Sequence, residues 1–566
     1  MPYRLTILAA ALLSATAAFA ATTADTVFVD GAVYTMDAAG RATALAVTGD
    51  RISYVGNDAA ARQLAGPETK VIDLHGRMLL PGFQDSHVHP GLASNLATRL
   101  DVGGLSSREA IVRRIGEYAR EHPTKPWIVG TGWAESAFLP SGQPTRALLD
   151  AGVVDRPAFL TNNSQHMGWA NSAALKAAGV TRATPDPANG RIERDAAGEP
   201  TGVLQEAAMD LVQKVIPPPA LGEQVENLKA ALREMNRVGI TAYEDALVGL
   251  DLVPAYLALG RSERPGMRVN LCLSFDPAVD DDEQIRRFIA QRAEFAGTTV
   301  QAPCVKITLD GAYGSHTVAL LEPYSDEPEK FGTGQLFLAP DRLKKVVTRL
   351  DAEGFQVHVH AIGDGAVRAA LDAFAEARRA NGPRDARHTI AHLGLIDAAD
   401  LSRFQQLGVV ANMSPLWSRG DPWETVFAPK LFGPARSARL YPTRSLLDAG
   451  ATLVWGSDWP VTDLAPLAGL ETAVTHRYPG GKDPEGVTDK VWIPAERISL
   501  AQALIAYTSA GAYLVKDEAN RGSLVAGKLA DLVVLSRNLF EADPLAIHEA
   551  TVDLTLVGGK VVFERN

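Results

Sequence analysis

Polar and apolar positions alternate along this chain with two different periods. Near the start, "DTVFVDGAVYTMD" (25–37), "ATALAVTGDRISYVG" (42–56) and "TKVIDLHGRMLLPG" (69–82) alternate every second residue and break at Gly and Asp. That pattern predicts short strands joined by tight turns. The far end repeats it in "GSLVAGKLADLVVLS" (522–536) and "VDLTLVGGKVVFERN" (552–566). A small β domain built from both chain ends follows, over residues 25–81 and 521–566.

Between them, strand-like apolar runs alternate with helical stretches such as 341–353 and 365–381, as in a parallel β/α fold. Eight runs qualify as barrel strands: "GFQDSHVH", "GITAYEDA", "MRVNLCLSF", "CVKITLDG", "FQVHVHAIGD", "HTIAHLG", "GVVANMSP" and "ATLVWGSDWP". Eight β/α units predict a closed barrel over residues 82–520, with its chemistry at the C-terminal ends of the strands. The count places "KPWIVGTGW" and "RPAFLTNN" in an insertion of about residues 92–235 after the first strand.

Composition changes this picture little. A hydrophobic share of 46% and a charged share of 21% are ordinary for a globular protein, and 566 residues suit a large domain plus a small one. A net charge of -11 without a dense Lys/Arg run weighs against nucleic acid and anionic membranes as partners. Residues 1–20 read as a signal peptide: "MPYR", an apolar run, then the small-x-small pattern Ala18-Phe19-Ala20. Cleavage there predicts an exported, periplasmic protein with no stable membrane insertion. Cys272 and Cys304 both lie in apolar strands, so buried free thiols are expected.

The polar residues at the strand ends carry the chemistry. His87 and His89 share a strand face, since side chains at i and i+2 project together. Lys306 lies in the fourth strand, His360 ends the fifth, His392 the sixth and Asp458 the eighth. On a barrel they converge on one rim. Four imidazoles, a lysine and a carboxylate are costly to bury together unless they bind something, and neutral imidazole is the commonest protein metal ligand. His358 shares the face of His360 but is expected deeper, as a hydrogen-bonded structural residue.

"LLPGFQDSHVHP", "VKITLDGAYGSHTVALLEPY", "VHVHAIGDGAV", "HTIAHLGLI", "YPTRSLLDAGATLVWGSDWPV" and "GSLVAGKLADLVVL", in this order, resemble the amidohydrolase superfamily. The branch they resemble includes N-substituted formamide deformylases. The resemblance implies an α/β fold, a distorted TIM-like (β/α)8 barrel beside a small β-sandwich. It implies a centre of one or two divalent ions, most often zinc, held by His87, His89, Lys306, His360, His392 and Asp458. Lys306 would be the bridging lysine, carboxylated by carbon dioxide in many relatives.

The implied reaction is hydrolysis of a non-peptide, amide-type carbon–nitrogen bond in a small molecule by a metal-activated hydroxide, with Asp458 as catalytic base and then acid. Ester or lactone hydrolysis at the same centre is the alternative, as is an exported metal-binding relative without catalysis. Glu206 and Asp310 stand behind Asp458 as further acids at the rim. Trp133, His166, Asn171 and His316 are candidates for substrate contact, with capping or pinning a helix as the rival role for His166 and Asn171. His316 stands where the family pattern places an arginine, which bears on substrate contacts and not on the metal site. A homo-oligomer is left open.

Overall fold

The computed structural model describes residues 23–565 except 98, 140–141, 218, 263–265, 422 and 483–490. The signal sequence expected over residues 1–20 lies outside the described residues.

Eight parallel strands form the central sheet: β1 (Phe83–Val88), β2 (Ile240–Val248), β3 (Arg268–Ser274), β4 (Val300–Thr308), β5 (Gln356–Ala361), β6 (Thr389–His392), β7 (Val410–Met413) and β8 (Thr452–Trp455). Each pairs with its sequence neighbours from β1 to β8, which nearly closes a barrel. The gap between β8 and β1 is bridged beyond β8, where Asp458 N donates to His87 O at 2.8 Å and His89 N to Trp459 O at 2.9 Å. Gly456 permits that approach: a Cβ there would lie 2.3 Å from His87 Cβ. All eight strands are the ones that the apolar runs predict.

Alternation along the strands divides the two faces. In β4 and β5, Val305, Ile307, Val357 and Val359 join the large apolar core. Lys306, His358 and His360, which alternate with them, are also buried but polar. Burying each such aliphatic side chain stabilises the fold by about 1.5–3 kcal/mol, which offsets a polar barrel interior. The outer layer includes the helices Pro340–Ala352 and Asp364–Asn381, within a residue of their expected bounds.

The insertion carries its own six-stranded sheet, from Leu100–Asp101 to Pro200–Glu206, and its own core around Ile111, Ile128, Trp133, Leu160 and Trp169. Both chain ends meet in another six-stranded sheet, where Met78–Pro81 pairs antiparallel with Leu532–Leu535. A four-stranded sheet (Ala24–Val29, Ala44–Thr48, Arg51–Gly56, Ala65–Asp73) shares a core with it through Phe28, Leu45, Leu79, Leu532 and Val534.

One expectation is corrected. Cys272 and Cys304 are not free thiols but a disulfide. Strands β3 and β4 place the two residues directly opposite each other, a register that a separation of 32 residues does not encode. Among the described residues, no helix is long and apolar enough to cross a membrane.

Candidate metal centre

The C-terminal rim of the barrel gathers the strand-end residues. His87 and Asp458 meet across the β8–β1 gap, with His87 Nε2 3.4 Å from Asp458 Oδ1. His89 Nε2 lies 3.0 Å from the same oxygen. Lys306 Nζ is 3.5 Å from His87 Nε2. The rings of His360 and His392 pack at 4.4 Å, and His392 lies 4.7 Å from His87. All six are buried. His392 and Asp458 reach inward on left-handed backbone, at φ 77° and 57°. Such conformations are uncommon outside glycine and concentrate at functional sites.

Behind the imidazoles stands a row of buried acids. His87 Nδ1 is 2.9 Å from His358 Nε2, and His358 Nδ1 is 2.8 Å from Glu244 Oε1. With His87 Nε2 turned to the centre, His87 Nδ1–H donates to His358, which in turn donates to Glu244. Asp310 Oδ1 lies 3.0 Å from His360 Nδ1, and accepts from Ile362 N as well. Asp245 sits 3.8 Å from His89 Nδ1 and acts on it by charge. Carboxylates placed behind ligating histidines fix tautomer and ring orientation.

The electrostatics follow from burial. Burial first, then nearby cationic groups, holds His87, His358 and His392 well below the ordinary imidazole value. Burial also lowers His360, against the pull of Asp310. Burial works against His89 too, but Asp245 and Asp458 overcome it and push His89 up to about 9. Burial pushes Lys306 down to about 7, against the pull of Asp458, Glu244 and Asp245. Burial opposes the charge of Asp458, yet His89, His392 and Lys306 hold it below the usual carboxylate range.

These donors fit a divalent ion. His87, His89 and Asp458 each offer an atom within 4.8 Å of the others. His89 Nδ1 and His392 Nδ1 are buried without a hydrogen-bond partner. Mostly neutral imidazoles beside a carboxylate are the donor set of a zinc-type site.

The expected substrate contacts divide. His166 reaches the rim, its ring 6.1 Å from that of His360. Its Nδ1 is 2.8 Å from Glu206 Oε2, and Glu206 Oε1 accepts from Ser315 and Thr317. Burial opposes the charge of His166, but Glu206 raises it above the ordinary value. Trp133 and Asn171 are placed in structural roles. Trp133 is fully buried in the insertion's core and donates to Leu160 O. Asn171 caps the helix Ser172–Ala177 and spends its amide on Val153 O and Arg156 O, so neither side chain has a polar group left for a substrate. His316 is committed to Asp326 at 2.8 Å and stacks on Phe331.

Sequence reasoning missed Trp417, which stacks on His392 at 4.9 Å and 7° and continues through Tyr441 to Trp492. An aromatic wall gives no period or spacing to read. It also missed Glu244 and Asp245 in "GITAYEDA", where two adjacent acids in an apolar strand were the available signal.

Comparisons with known proteins place the chain in a family and a fold. Protein LONG AFTER FAR-RED 3 of Arabidopsis thaliana is 32% identical over 95% of this chain and 92% of its own length. N-substituted formamide deformylase of Arthrobacter pascens is 28% identical over 96% of this chain and 98% of its own. The crystal structure of an uncharacterized metal-dependent hydrolase from Pyrococcus furiosus superposes with a TM-score of 0.69 at 27% identity, covering 92% of this chain and 99% of that one. The sequence profile of the amidohydrolase family matches residues 70–563, and the chain belongs to that family.

Proposed function

We propose that the chain is an exported, metal-dependent amidohydrolase that cleaves a non-peptide, amide-type carbon–nitrogen bond in a small molecule. The observation that carries this reading is the meeting of His87, His89 and Asp458 at one rim, with Lys306, His360 and His392 beside them. These six residues would hold one or two divalent ions, with zinc the best match to the donors. When bound, the metal activates water as a nucleophile and polarises the substrate carbonyl.

The chain's own residues supply the rest. Asp458 accepts the proton of the attacking water and passes it to the leaving nitrogen, giving a carboxylate and an amine. His358 and Glu244 hold the His87 ring, and Asp310 holds that of His360. His166, oriented by Glu206, makes no hydrogen bond through Nε2 among the described residues, and that nitrogen is left for a substrate oxygen. Trp417 shields His392 from water and offers an apolar face to the substrate.

The name of the Arthrobacter relative supports a carbon–nitrogen bond over an ester. The deciding experiment measures metal content and turnover on a panel of N-formyl amines, N-acyl amines, esters and lactones. Turnover of the amides, lost on chelation and restored by zinc, is expected. Turnover of esters or lactones alone moves the reading to the alternative hydrolase. Bound metal with no turnover at all leaves a metal-binding protein.

A further inference from the structure

Beneath the rim, four consecutive strands bring a second donor cluster together. Glu244 comes from β2, Cys272 from β3, Cys304 from β4 and His358 from β5. One donor atom from each lies within 4.8 Å of all the others, and all four residues are buried. Cys272 Sγ is 3.9 Å from His358 Nδ1. Glu244 uses Oε1 on His358, while its Oε2 is buried without a partner. In this structure the two sulfurs are bonded to each other, which removes both from coordination.

We propose that, with Cys272 and Cys304 reduced, these four residues form a second, closed site for a thiophilic divalent ion such as zinc. Two thiolates, an imidazole and a carboxylate make a complete tetrahedral set with no position open to substrate. The thiolates favour zinc over magnesium or calcium. Before the barrel closes, a dithiol reductant supplies two electrons and two protons to the bridge and leaves as its own disulfide. The ion then displaces the two thiol protons.

Coordination at His358 Nδ1 moves the imidazole proton from that atom to Nε2. There it meets His87 Nδ1–H, so the donation from His87 to His358 is lost. His358 therefore serves one centre at a time. The disulfide keeps it on the side of His87, and the reduced, filled site takes it away. Both sulfurs are 0% exposed, so the choice is made before the barrel closes and not afterwards.

The test uses the full chain made in a reducing cytosol and purified without oxygen, against the same chain made in an oxidising compartment. Each is stripped of metal and titrated with cobalt(II). The reduced chain is expected to show two thiols on denaturation and a cobalt–thiolate charge-transfer absorption at one ion per chain. The oxidised chain, and Cys272→Ser or Cys304→Ser, should lack that absorption while still taking cobalt at the nitrogen and oxygen donors of the rim. Two free thiols with no thiolate absorption overturns the proposal. So does a chain from the reducing cytosol with no titratable thiol, because the site then never forms. Neither readout depends on turnover, so failure here is distinct from failure of the proposed function.

Discussion

His358 Nε2 lies 2.9 Å from His87 Nδ1, and this contact ties a fully buried histidine to one at the barrel rim. Through it, Glu244 sets which nitrogen of His87 is free for a metal. His358→Gln should therefore weaken metal retention by about 10–100-fold, the usual cost of losing a partner behind a metal ligand. Competition with a chelator measures it. Unchanged retention in a folded variant would show that His87 is oriented without His358.

Removing His87 or His89 should be more severe. His87→Ala and His89→Ala are expected to lose metal and turnover together while the barrel stays folded. Elemental analysis beside a circular dichroism spectrum separates the two effects. Full occupancy in both variants would remove the pair from the ligand set.

Asp458→Asn should keep most of the metal and lose the proton shuttle. An amide oxygen can still coordinate weakly but cannot take a proton from water. A rate loss of about 10²–10⁴-fold is expected at matched occupancy. If more than about a tenth of the parental rate survives, which is a smaller loss than any in that range, the shuttle is another acid. Glu206 and Asp310 are then the first to test.

Far from the rim, Asp351 pins two outer helices to the strands. Its carboxylate is bonded to His388, Asn381 and Arg384. Burial opposes its charge, but these partners win and hold it down to about 2. A carboxyl lowered from its ordinary value of 3.8 stabilises the fold above that value and ceases to as pH falls through about 2. Asp351→Asn should thus cost on the order of 1–2 kcal/mol near neutrality. The gap between parent and variant should close between pH 4 and pH 2, in the window those two values set. Denaturant melts of both chains across that range check the sign.

Export predicts a mature chain that begins at Ala21, behind Ala18-Phe19-Ala20. Terminal sequencing of protein from its native host decides it. An intact Met1 in the membrane fraction would point to an anchor instead.

The barrel was legible because its eight strands are apolar runs, and the rim because polar residues end them. His87 and His89 stood out through their spacing, His360 and His392 through their places at strand ends, and the ligand set through the family resemblance. Glu244 and Asp245 behind them did not, since they matter only through partners on other strands. The Cys272–Cys304 bridge was hidden for the same reason: it depends on the register between β3 and β4. The burial of Trp133 and the cap that Asn171 makes depend on packing, because a short motif beside a pocket and one inside a core look alike in sequence.

The pairing of the two chain ends has a consequence for how the molecule is made. His89 emerges from the ribosome 369 residues before Asp458, the carboxylate that it faces. Gln84, on the strand that leads to His87 and His89, waits longer still for Thr508 O, 424 residues downstream. Until then the two histidines ride on a strand with no neighbour on one side. Translation that stops near residue 500 would delete none of the six rim residues. It would still strip away Thr508 and the strand Leu532–Leu535 that brace the start of the barrel. A chain cut there would keep every rim residue and still lose the contacts that hold Gln84 and Met78–Pro81 in place.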